Sequence, residues 1–501
     1  MAWDQVFVAT AGLLLALAAV AVRAGVTVGR RAGGVDTWYY LAYADAFRAR
    51  PSLDVRLPQY LLQDERQSYA PLFPSALALL PAVVRKRYYW LVSPAVDAVH
   101  LLVLYTVAYR LTGSLSVALA TGVIFAITPQ LVSETRSLNG RSFGILLHSL
   151  AMLATVRFSI GGGGPWLGLA LVFGAALLLS SASASAAWAA VCAVLAFRFA
   201  DPRYLLVLVG ALALALVASG GHFARVVRNY VQALQYWRRH HAWFGAHPIR
   251  DSPLRDSPEH SAPAQQPGFL GGNALQQLLR LLGENPFILA LPLAPAGVFP
   301  WGPRLHVWAV TLALLAVLAT FLPPLRAFGP GRHWMRAGAF PTAFTLAAGI
   351  GSRDGFAKPL GVVTVAGAVL SLAAIAFYYW YLRHRVVEQT AFVPEGLAPA
   401  VEHLRGLPAG GIFCLPSVYA DFTCYHSGQP VLWGGHCGDL TRFGEVFPVL
   451  RVPLAELFGR YGVRYVLIDG SYVRSGELAP GARLDELGAW GTFQLYEWRA
   501  P

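Results

Sequence analysis

Long apolar runs separated by short polar connections dominate most of the chain. A helix crosses a bilayer with roughly 17 to 25 apolar residues. The pattern predicts eleven such spans, at residues 5–23, 88–110, 114–130, 141–158, 165–181, 184–199, 203–220, 285–302, 305–322, 338–352 and 359–382. After residue 383 the runs become short: residues 411–416, 464–469 and 492–496 predict strands, and residues 452–461 predict a helix. The predicted fold is therefore an α-helical polytopic membrane protein over residues 1–383, followed by an α/β domain over residues 384–501.

The first apolar run, residues 6–22, resembles a secretory signal because Ala19-Val20-Ala21 is similar to a processing site. The residues before it contain Asp4 and neither lysine nor arginine. A signal peptide begins with positive charge. We therefore interpret this run as a retained membrane anchor.

Basic residues near the predicted helix ends indicate the orientation. A cytoplasmic N-terminus places seven of them in short cytoplasmic connections: Arg110, Arg157, Arg198, Arg203, Arg304, Arg353 and Lys358. The extracytoplasmic parts are then the first loop (24–87), the loop 221–284 and everything after residue 383. Other basic residues fall in these long loops, where the rule has little weight.

Composition narrows the class of protein. Charged residues make up 13% of the chain and hydrophobic residues 56%, against roughly 25% charged in a soluble domain. The net charge of +13 is almost entirely arginine, which suits anionic lipid or phosphate-bearing ligands. The basic residues form no single stripe, so we expect no nucleic-acid partner. The arginine bias is typical of a high-GC bacterial genome, so we expect a bacterial inner (cytoplasmic) membrane protein.

A carboxylate follows the first predicted span, in the run Asp-Thr-Trp-Tyr-Tyr-Leu-Ala-Tyr-Ala at residues 36–44. The run has a helical pattern, and tyrosines suit the bilayer interface. Asp36 is therefore a candidate catalytic base at the membrane surface, with Tyr39 and Tyr40 as candidate acceptor contacts. The alternative is that Asp36 only caps the helix, since aspartate is a favoured capping residue.

The second outer loop, residues 128–142, places Glu134, Arg136 and Arg141 between two apolar runs. Charged groups close to lipid are costly unless they are paired or hydrated. Glu134 is therefore a second candidate catalytic residue, and Arg141 a candidate phosphate ligand. An ion pair of Glu134 with Arg136 or Arg141 is the structural alternative.

Arg332 and His333 precede the tenth predicted span on its outer side. A guanidinium can bind two phosphate oxygens at once. We therefore interpret Arg332, Arg141 and His333 as candidate ligands of a lipid phosphate. Ordinary headgroup anchoring is the alternative.

The loop 221–284 has two parts. The first is an amphipathic pattern rich in arginine and aromatic residues, which is typical of a helix in the headgroup region. It contains Arg238 and His241, candidate contacts for an acceptor. The second, residues 252–266, is rich in proline and serine and predicts either a flexible lid or a linker.

Cysteine and histidine spacing indicates no metal site, and no phosphate-binding or hydrolase motif occurs. These spacings and motifs therefore do not predict a particular cofactor. Cys424 and Cys437 could form a disulfide in an exported domain or pack as two thiols in a core.

Four features together resemble the GT-C superfamily of integral-membrane glycosyltransferases. They are the Asp-x-x-Tyr-Tyr-Leu-x-x-Ala run at 36–44, an acid-bearing second outer loop, about eleven spans, and an extracytoplasmic C-terminal domain. The superfamily includes protein mannosyltransferases, aminoarabinose transferases and the catalytic subunit of oligosaccharyltransferase. The resemblance implies a polyprenyl-phosphate-linked sugar donor and a catalytic first-loop carboxylate, which by position is Asp36.

The chain departs from oligosaccharyltransferases at two motifs. They carry an Asp-x-Glu metal motif where this chain has Arg141-Ser142-Phe143, and this chain has no Trp-Trp-Asp motif. The sequence therefore neither predicts nor excludes a divalent cation, Mg²⁺ or Mn²⁺, as a cofactor. The acceptor stays open between a glycan, a lipid and a protein.

The sequence thus predicts inverting sugar transfer on the extracytoplasmic side of the membrane. A first alternative is a glycan polymerase or ligase of the O-antigen ligase type, which would depend on Arg238, Arg239 and His241. A second is a lipid or glycan transporter. Transporters place ionisable residues at mid-span or show internal repeats. Here Asp97 and His100 lie well inside a predicted span, but the sequence shows no convincing internal repeat.

Overall fold

The structure is a computed structural model in which most of the chain is helical. It describes residues 2–25, 35–62, 66–239, 274–297, 299–322, 325, 331–352, 357–384, 392–434, 440–446, 452–473, 475 and 483–499.

The helices and strands of these residues follow the predicted division into a helical part and a mixed C-terminal part. The α-helices are α1 (Ala2–Ala24), α2 (Val35–Ala49), α3 (Leu72–Ala78), α4 (Ala82–Arg87), α5 (Val92–Thr112), α6 (Leu115–Ala126), α7 (Pro129–Glu134), α8 (Arg141–Ser159), α9 (Gly163–Leu178), α10 (Ala182–Arg198), α11 (Arg203–Ala218), α12 (His222–Arg239), α13 (Ala274–Glu284), α14 (Gly302–Phe321), α15 (Gly331–Ile350), α16 (Ala357–His384), α17 (Leu397–Arg405), α18 (Ala420–Ser427), α19 (Leu440–Phe443) and α20 (Leu454–Tyr461). The strands are β1 (Gly411–Leu415), β2 (Val463–Asp469), β3 (Arg483–Trp490) and β4 (Phe493–Arg499).

The chain forms two compact units, each assembled from segments that are distant in sequence. Unit 1 contains Met1–Val28, Tyr88–Phe223 and Gly272–Val386, and unit 2 contains Gly29–Arg87, Ala224–Gly271 and Val387–Pro501. The predicted boundary after residue 383 lies close to the last of these divisions. The first loop and the C-terminal residues, which are some 300 residues apart in sequence, fold as parts of the same unit.

Unit 1 contains the apolar helices of a multi-pass membrane protein. Within the described residues, five helices are long and apolar enough to cross a membrane: Gln5–Ala24, Tyr89–Thr112, Arg141–Ser159, Gly302–Phe321 and Ala357–Leu382. Helix α11 meets the same test only together with α12, and α6, α9 and α10 are shorter apolar helices. The membrane character is confirmed, and the number of eleven spans stays a prediction.

The predicted span at 285–302 does not form an α-helix. Residues Pro286–Leu293 form a 3₁₀ helix instead, with Pro292 inside it. Proline has no backbone N–H and its ring clashes with the preceding turn, which disfavours a continuous α-helix through these positions. The α-helical span predicted from hydropathy at 285–302 is therefore wrong.

Close helix packing in unit 1 depends on small residues at helix contacts. A Cβ atom at Gly174 of α9 would lie 2.6 Å from the Trp188 ring of α10 and 2.8 Å from Cβ of Ala211 of α11. Glycine is therefore required where these three apolar helices meet, as is common in membrane helix packing.

The ionisable residues inside the second predicted span have partners within unit 1. Arg23 of α1 forms an ion pair with Asp97 of α5, and its Nη1 donates to the carbonyl oxygen of Ala126 at 3.1 Å. Nε2 of His100 lies 2.9 Å from Oγ of Ser149 on α8. These contacts connect α1, α5, α6 and α8, so both residues have a structural role in the helix bundle.

We expect Asp97→Asn to lower the free energy of unfolding by about 1–3 kcal/mol, because Arg23 would keep a buried charge without its carboxylate. The unfolding midpoint of the purified protein in detergent measures this effect. The double variant Arg23→Met/Asp97→Leu removes both charges and should be more stable than Asp97→Asn. Equal stability of wild type and Asp97→Asn would contradict a structural ion pair.

Unit 2 is built on a four-stranded sheet with strand order β1-β2-β4-β3. Strand β1 pairs parallel with β2, and β4 pairs antiparallel with both β2 and β3. The predicted strands at 411–416, 464–469 and 492–496 correspond to β1, β2 and β4, and the predicted helix 452–461 is α20. Strand β3 was not predicted, since none of its residues is buried and its sequence shows no regular alternation of apolar and polar residues.

The first loop contributes to the core of unit 2. The N–H groups of Leu61 and Leu62 donate to the carbonyl oxygens of Val431 and Leu432 at 3.0 and 2.8 Å. Leu62 is fully buried with Phe413 of β1 in a cluster of apolar side chains. This pairing holds the segment that carries α2 and α3.

Candidate functional site

Asp36 lies in the first turn of α2, in unit 2. The helix begins at Val35, so Asp36 is the second helical residue and not the capping residue that the alternative required. Its side chain is partly exposed. A carboxylate in the first turn is stabilised by the positive end of the helix dipole. The position therefore suits an ionised carboxylate that keeps access to a ligand.

The next residues of α2 anchor the helix in unit 2. Trp38 packs against His426 of α18, with ring centroids 4.7 Å apart. Oη of Tyr39 donates to Oε1 of Gln67 at 2.9 Å, and Oη of Tyr40 lies 2.8 Å from Oη of Tyr69. Trp38, Tyr39 and Tyr40 are all buried. Tyr39 and Tyr40 thus contact other parts of unit 2, and their predicted contact with an acceptor stays a prediction.

Glu134 is the centre of a charged cluster in unit 1. It ends α7 and is buried. Its Oε2 accepts a 2.6 Å hydrogen bond from Nη1 of Arg141, and its Oε1 accepts a 3.1 Å hydrogen bond from Nη2 of Arg336. Nδ2 of Asn139 donates to the Glu134 carbonyl oxygen at 2.7 Å and tightens the loop. One carboxylate therefore holds guanidinium groups from two helices, α8 and α15.

The ion-pairing alternative for Glu134 is thus observed, with Arg141 as the partner. Arg136, the other partner considered, instead donates from Nη1 to Oη of Tyr378 at 2.8 Å. A carboxylate with both oxygens bound to guanidinium groups is poorly placed to accept a further proton. The geometry favours a positioning role for Glu134, and its catalytic role stays a prediction.

Arg332 and His333 lie in the first turn of α15, and Arg336 follows one turn later. Arg332 and His333 are partly buried, whereas Arg336 is fully buried. The Arg332 carbonyl oxygen accepts a hydrogen bond from Nε2 of Gln130 on α7. Residues four apart lie on one face of a helix. Arg332 and Arg336 therefore lie on the face of α15 that meets Glu134.

The electrostatics of this cluster favour an ionised Glu134. Burial disfavours its charge, but Arg141, Arg336 and Arg332 together hold the pKa of Glu134 well below its ordinary value. Three guanidinium groups therefore act on one ionised carboxylate. Guanidinium groups gathered in one place favour the binding of an anion with several oxygens, such as a phosphate.

Glu284 is a further acidic residue near this cluster. It ends α13, which packs against α7 and α15. The pKa of Glu284 is raised to about 7, mainly by burial and also by Glu134, against the opposing effect of Arg332 and Arg336. Two carboxylates close to the same arginines therefore differ in protonation, one ionised and one partly neutral at pH 7.

The predicted lid lies largely outside the described residues. Helix α12 is joined to the first loop, since Nη1 of Arg225 donates to Oδ1 of Asp54 at 2.8 Å. Arg238 is exposed near the end of α12. His241 and the stretch 252–266 are not among the described residues.

Two questions from the sequence concern a divalent cation and the pairing of Cys424 with Cys437. Within the described ranges, no three His, Cys, Asp or Glu side chains lie together as metal ligands. Because arginines bind both oxygens of Glu134, the cluster does not fit Mg²⁺ or Mn²⁺, and we assign no step to a metal. Cys424 is a buried free thiol, so of the two alternatives for this residue the structure has the thiol. Cys437 is outside the described residues.

Comparison with known proteins defines the fold. No protein-family model and no curated protein matches the chain. The oligosaccharyltransferase AglB from Archaeoglobus fulgidus, in complex with an inhibitory peptide and a dolichol-phosphate, superposes with a TM-score of 0.58 at 11% identity, over 100% of this chain and 75% of that one.

ArnT from Cupriavidus metallidurans, bound to undecaprenyl phosphate, has a TM-score of 0.54 at 14% identity, over 99% of this chain and 98% of that one. The arabinofuranosyltransferase AftD from mycobacteria has a TM-score of 0.51 at 15% identity, over 97% of this chain and 41% of that one. These neighbours are GT-C glycosyltransferases. The chain has the GT-C fold.

Within this GT-C fold the predicted residues divide between the two units. Arg141, Arg332 and His333 belong to the Glu134 cluster of unit 1, and their role as phosphate ligands stays a prediction. Asp36 belongs to unit 2.

The sequence analysis did not identify two further residues of the Glu134 cluster, Arg336 and Glu284. For Arg336 a signal existed, since it follows Arg332 by four residues on one helix. For Glu284 the sequence gives only an isolated acid before Asn285 and Pro286.

Proposed function

We propose that this chain transfers a sugar from a polyprenyl-phosphate-linked donor to an acceptor on the extracytoplasmic side of the membrane, with inversion at the anomeric carbon. The observation that carries the proposal is the gathering of three guanidinium groups around Glu134. Arg141 and Arg336 are fixed by one ionised carboxylate, and Arg332 lies on the same helix face. Such a cluster suits a phosphate, because guanidinium groups bind phosphate oxygens in pairs.

The structural neighbours support this class of ligand. One is in complex with a dolichol-phosphate and another is bound to undecaprenyl phosphate. Both ligands are polyprenyl phosphates, which would remain as the leaving group after the sugar has been transferred.

In the proposed reaction, Asp36 removes the proton from the acceptor hydroxyl while that oxygen attacks the anomeric carbon. The bond between that carbon and the phosphate oxygen breaks, and the arginines stabilise the charge that develops on the phosphate. Glu134 acts as a positioning residue for Arg141 and Arg336. One displacement by one nucleophile gives inversion. The acceptor class is a glycan, a lipid or a protein.

The proposal is tested with purified protein in liposomes and a panel of polyprenyl-phosphate-linked sugars carrying a labelled sugar. We expect the label to pass to acceptors from a cell-envelope fraction, with one polyprenyl phosphate released per sugar transferred. NMR of the product should show the opposite anomeric configuration to the donor. Movement of the donor across the bilayer without a covalent product would support a transporter instead.

The Arg238→Ala variant separates the proposal from the polymerase or ligase alternative. Arg238 is exposed, and surface substitutions usually have small effects. We therefore expect this variant to keep most of its transfer activity. Loss of activity in Arg238→Ala, with full activity in Asp36→Asn, would favour the alternative.

A further inference from the structure

The side chain of Glu284 lacks a hydrogen-bond partner at one of its two carboxylate oxygens. Its Oε2 atom is buried and makes no hydrogen bond to the described part of the chain. Oδ1 of Asn285 and Oε1 of Gln130 are in the same situation. Gln130 lies on α7, the helix that ends in Glu134. Buried polar atoms without partners are costly in the native state. A protonated Glu284 carboxyl group could donate a hydrogen bond from this position.

The charged groups that face Glu284 come from two helices. Arg332 and Arg336 of α15 and Glu134 of α7 act on it. Helix α13 also packs against the 3₁₀ helix at 286–293, α14 and α16, and the described residues of these elements bring no charged group to Glu284. On α13 itself, Arg280 is exposed one turn earlier. Glu284 therefore responds mainly to the arginine cluster and to whatever anion that cluster binds.

We propose that Glu284 takes up a proton when a phosphate binds to the arginine cluster, and releases it when the phosphate leaves. This inference rests on the proposed function, because it assumes that the cluster is the phosphate site. A bound phosphate places negative charge beside the carboxylate and offsets the arginines that favour its ionised form. The neutral carboxyl group is thereby favoured, and it can donate a hydrogen bond to a phosphate oxygen.

The sign of the pH dependence follows from this coupling. In the empty site the pKa of Glu284 is about 7, so at pH 8 most molecules carry the ionised form, which repels the ligand. Binding at pH 8 then requires proton uptake from solvent. The dissociation constant should rise about tenfold for each pH unit above the pKa of the empty site, until the pKa of the bound state is reached. Below pH 6 it should be constant.

The test uses a short-chain prenyl methyl phosphodiester, whose single negative charge does not titrate between pH 5 and 9. Binding to the full chain in nanodiscs is measured by calorimetry. We expect the dissociation constant of the wild type to rise with pH above about 7. Glu284→Gln should bind with the same constant from pH 5.5 to 8.5, because glutamine keeps the shape of the neutral acid without titrating.

Proton uptake is measured in the same experiment with two buffers of different ionisation enthalpy. We expect uptake approaching one proton per ligand for the wild type at pH 8, and none for Glu284→Gln. Uptake that disappears in His333→Asn and persists in Glu284→Gln would assign the proton to the histidine and overturn the inference. Parallel pH profiles for wild type and Glu284→Gln would also overturn it, while leaving the proposed function intact. No binding by either protein would instead reject the phosphate site, and with it both proposals.

Stability provides a second measurement that needs no ligand. A carboxyl whose pKa is raised by folding stabilises the native state at low pH, and that stabilisation is lost as pH rises to the folded-state pKa. Glu284→Gln should therefore unfold at the same temperature as the wild type near pH 5, and at a higher temperature at pH 8. A midpoint difference that does not change with pH would contradict a titrating Glu284.

Discussion

Replacing Asp36 with asparagine is expected to lower the turnover of sugar transfer by a factor of about 10²–10⁴, the range that a positioned general base contributes. Asparagine has nearly the same size as aspartate and cannot accept the proton of the acceptor hydroxyl. Because Trp38, Tyr39 and Tyr40 anchor α2 through contacts that do not involve position 36, the helix should keep its place. The loss should therefore appear in kcat, with the apparent affinity for the donor little changed.

Asp45 provides a matched control on the same helix. Its Oδ1 lies 2.9 Å from Nη1 of Arg85, and its Oδ2 accepts a 2.9 Å hydrogen bond from Oη of Tyr425. Asp45→Asn removes one carboxylate from α2 exactly as Asp36→Asn does, but at a site whose contacts are structural. We expect a lower unfolding temperature and nearly normal kcat for Asp45→Asn. Normal turnover in Asp36→Asn, measured with labelled donor in liposomes, would reject Asp36 as the base.

The local elements around Asp36 were predictable because they depend on nearby residues. The pattern after the first span predicted a helix from residue 36, and the structure has α2 at Val35–Ala49. The strands and the helix before β2 were likewise predicted from alternation and from turn residues. In contrast, the pairing of Leu61 and Leu62 with residues 431 and 432 joins segments hundreds of residues apart. No local pattern encodes such a register.

The prediction for residues 285–302 failed for a different reason. The stretch is apolar enough to predict a membrane span, but it contains Pro286 and Pro292. The result is a 3₁₀ helix in place of an α-helical span. In an apolar run, proline spacing therefore carries information about backbone geometry that hydropathy does not.

The charged cluster was predicted in part. Arg141, Arg332 and Glu134 were recognised because charges next to apolar runs are rare and demand partners. The sequence does not distinguish Arg136 from Arg141 as the ion-pair partner of Glu134, because both lie close to it along the chain. Only tertiary packing brings α15 against α7 and adds Arg336 to the pair. The raised pKa of Glu284 likewise depends on burial that its own neighbours in sequence do not specify.

Replacing Arg336 should have the second largest effect on the turnover of sugar transfer. We expect Arg336→Met to lower turnover about 10²–10³-fold, the cost of removing one preorganised donor from a developing oxyanion. Methionine fills much of the same volume, so packing around α15 should largely survive. Arg136→Gln is the matched control from the second outer loop, because Arg136 contacts Tyr378 and not Glu134. Near-normal turnover in Arg336→Met combined with a large loss in Arg136→Gln would show that the phosphate site has been assigned to the wrong arginines.

A double-mutant cycle with Glu134→Gln tests why Arg336 matters. Because Glu134 orients Arg336 through a 3.1 Å hydrogen bond, Glu134→Gln should also reduce turnover, but less than Arg336→Met. Once Arg336 is gone, the carboxylate has lost one of its two functions, so the double variant should be less impaired than the product of the single effects. Coupling between residues in direct contact is about 0.5–3 kcal/mol. Strictly multiplicative losses would mean that Glu134 acts on the reaction independently of Arg336, as a catalytic residue would.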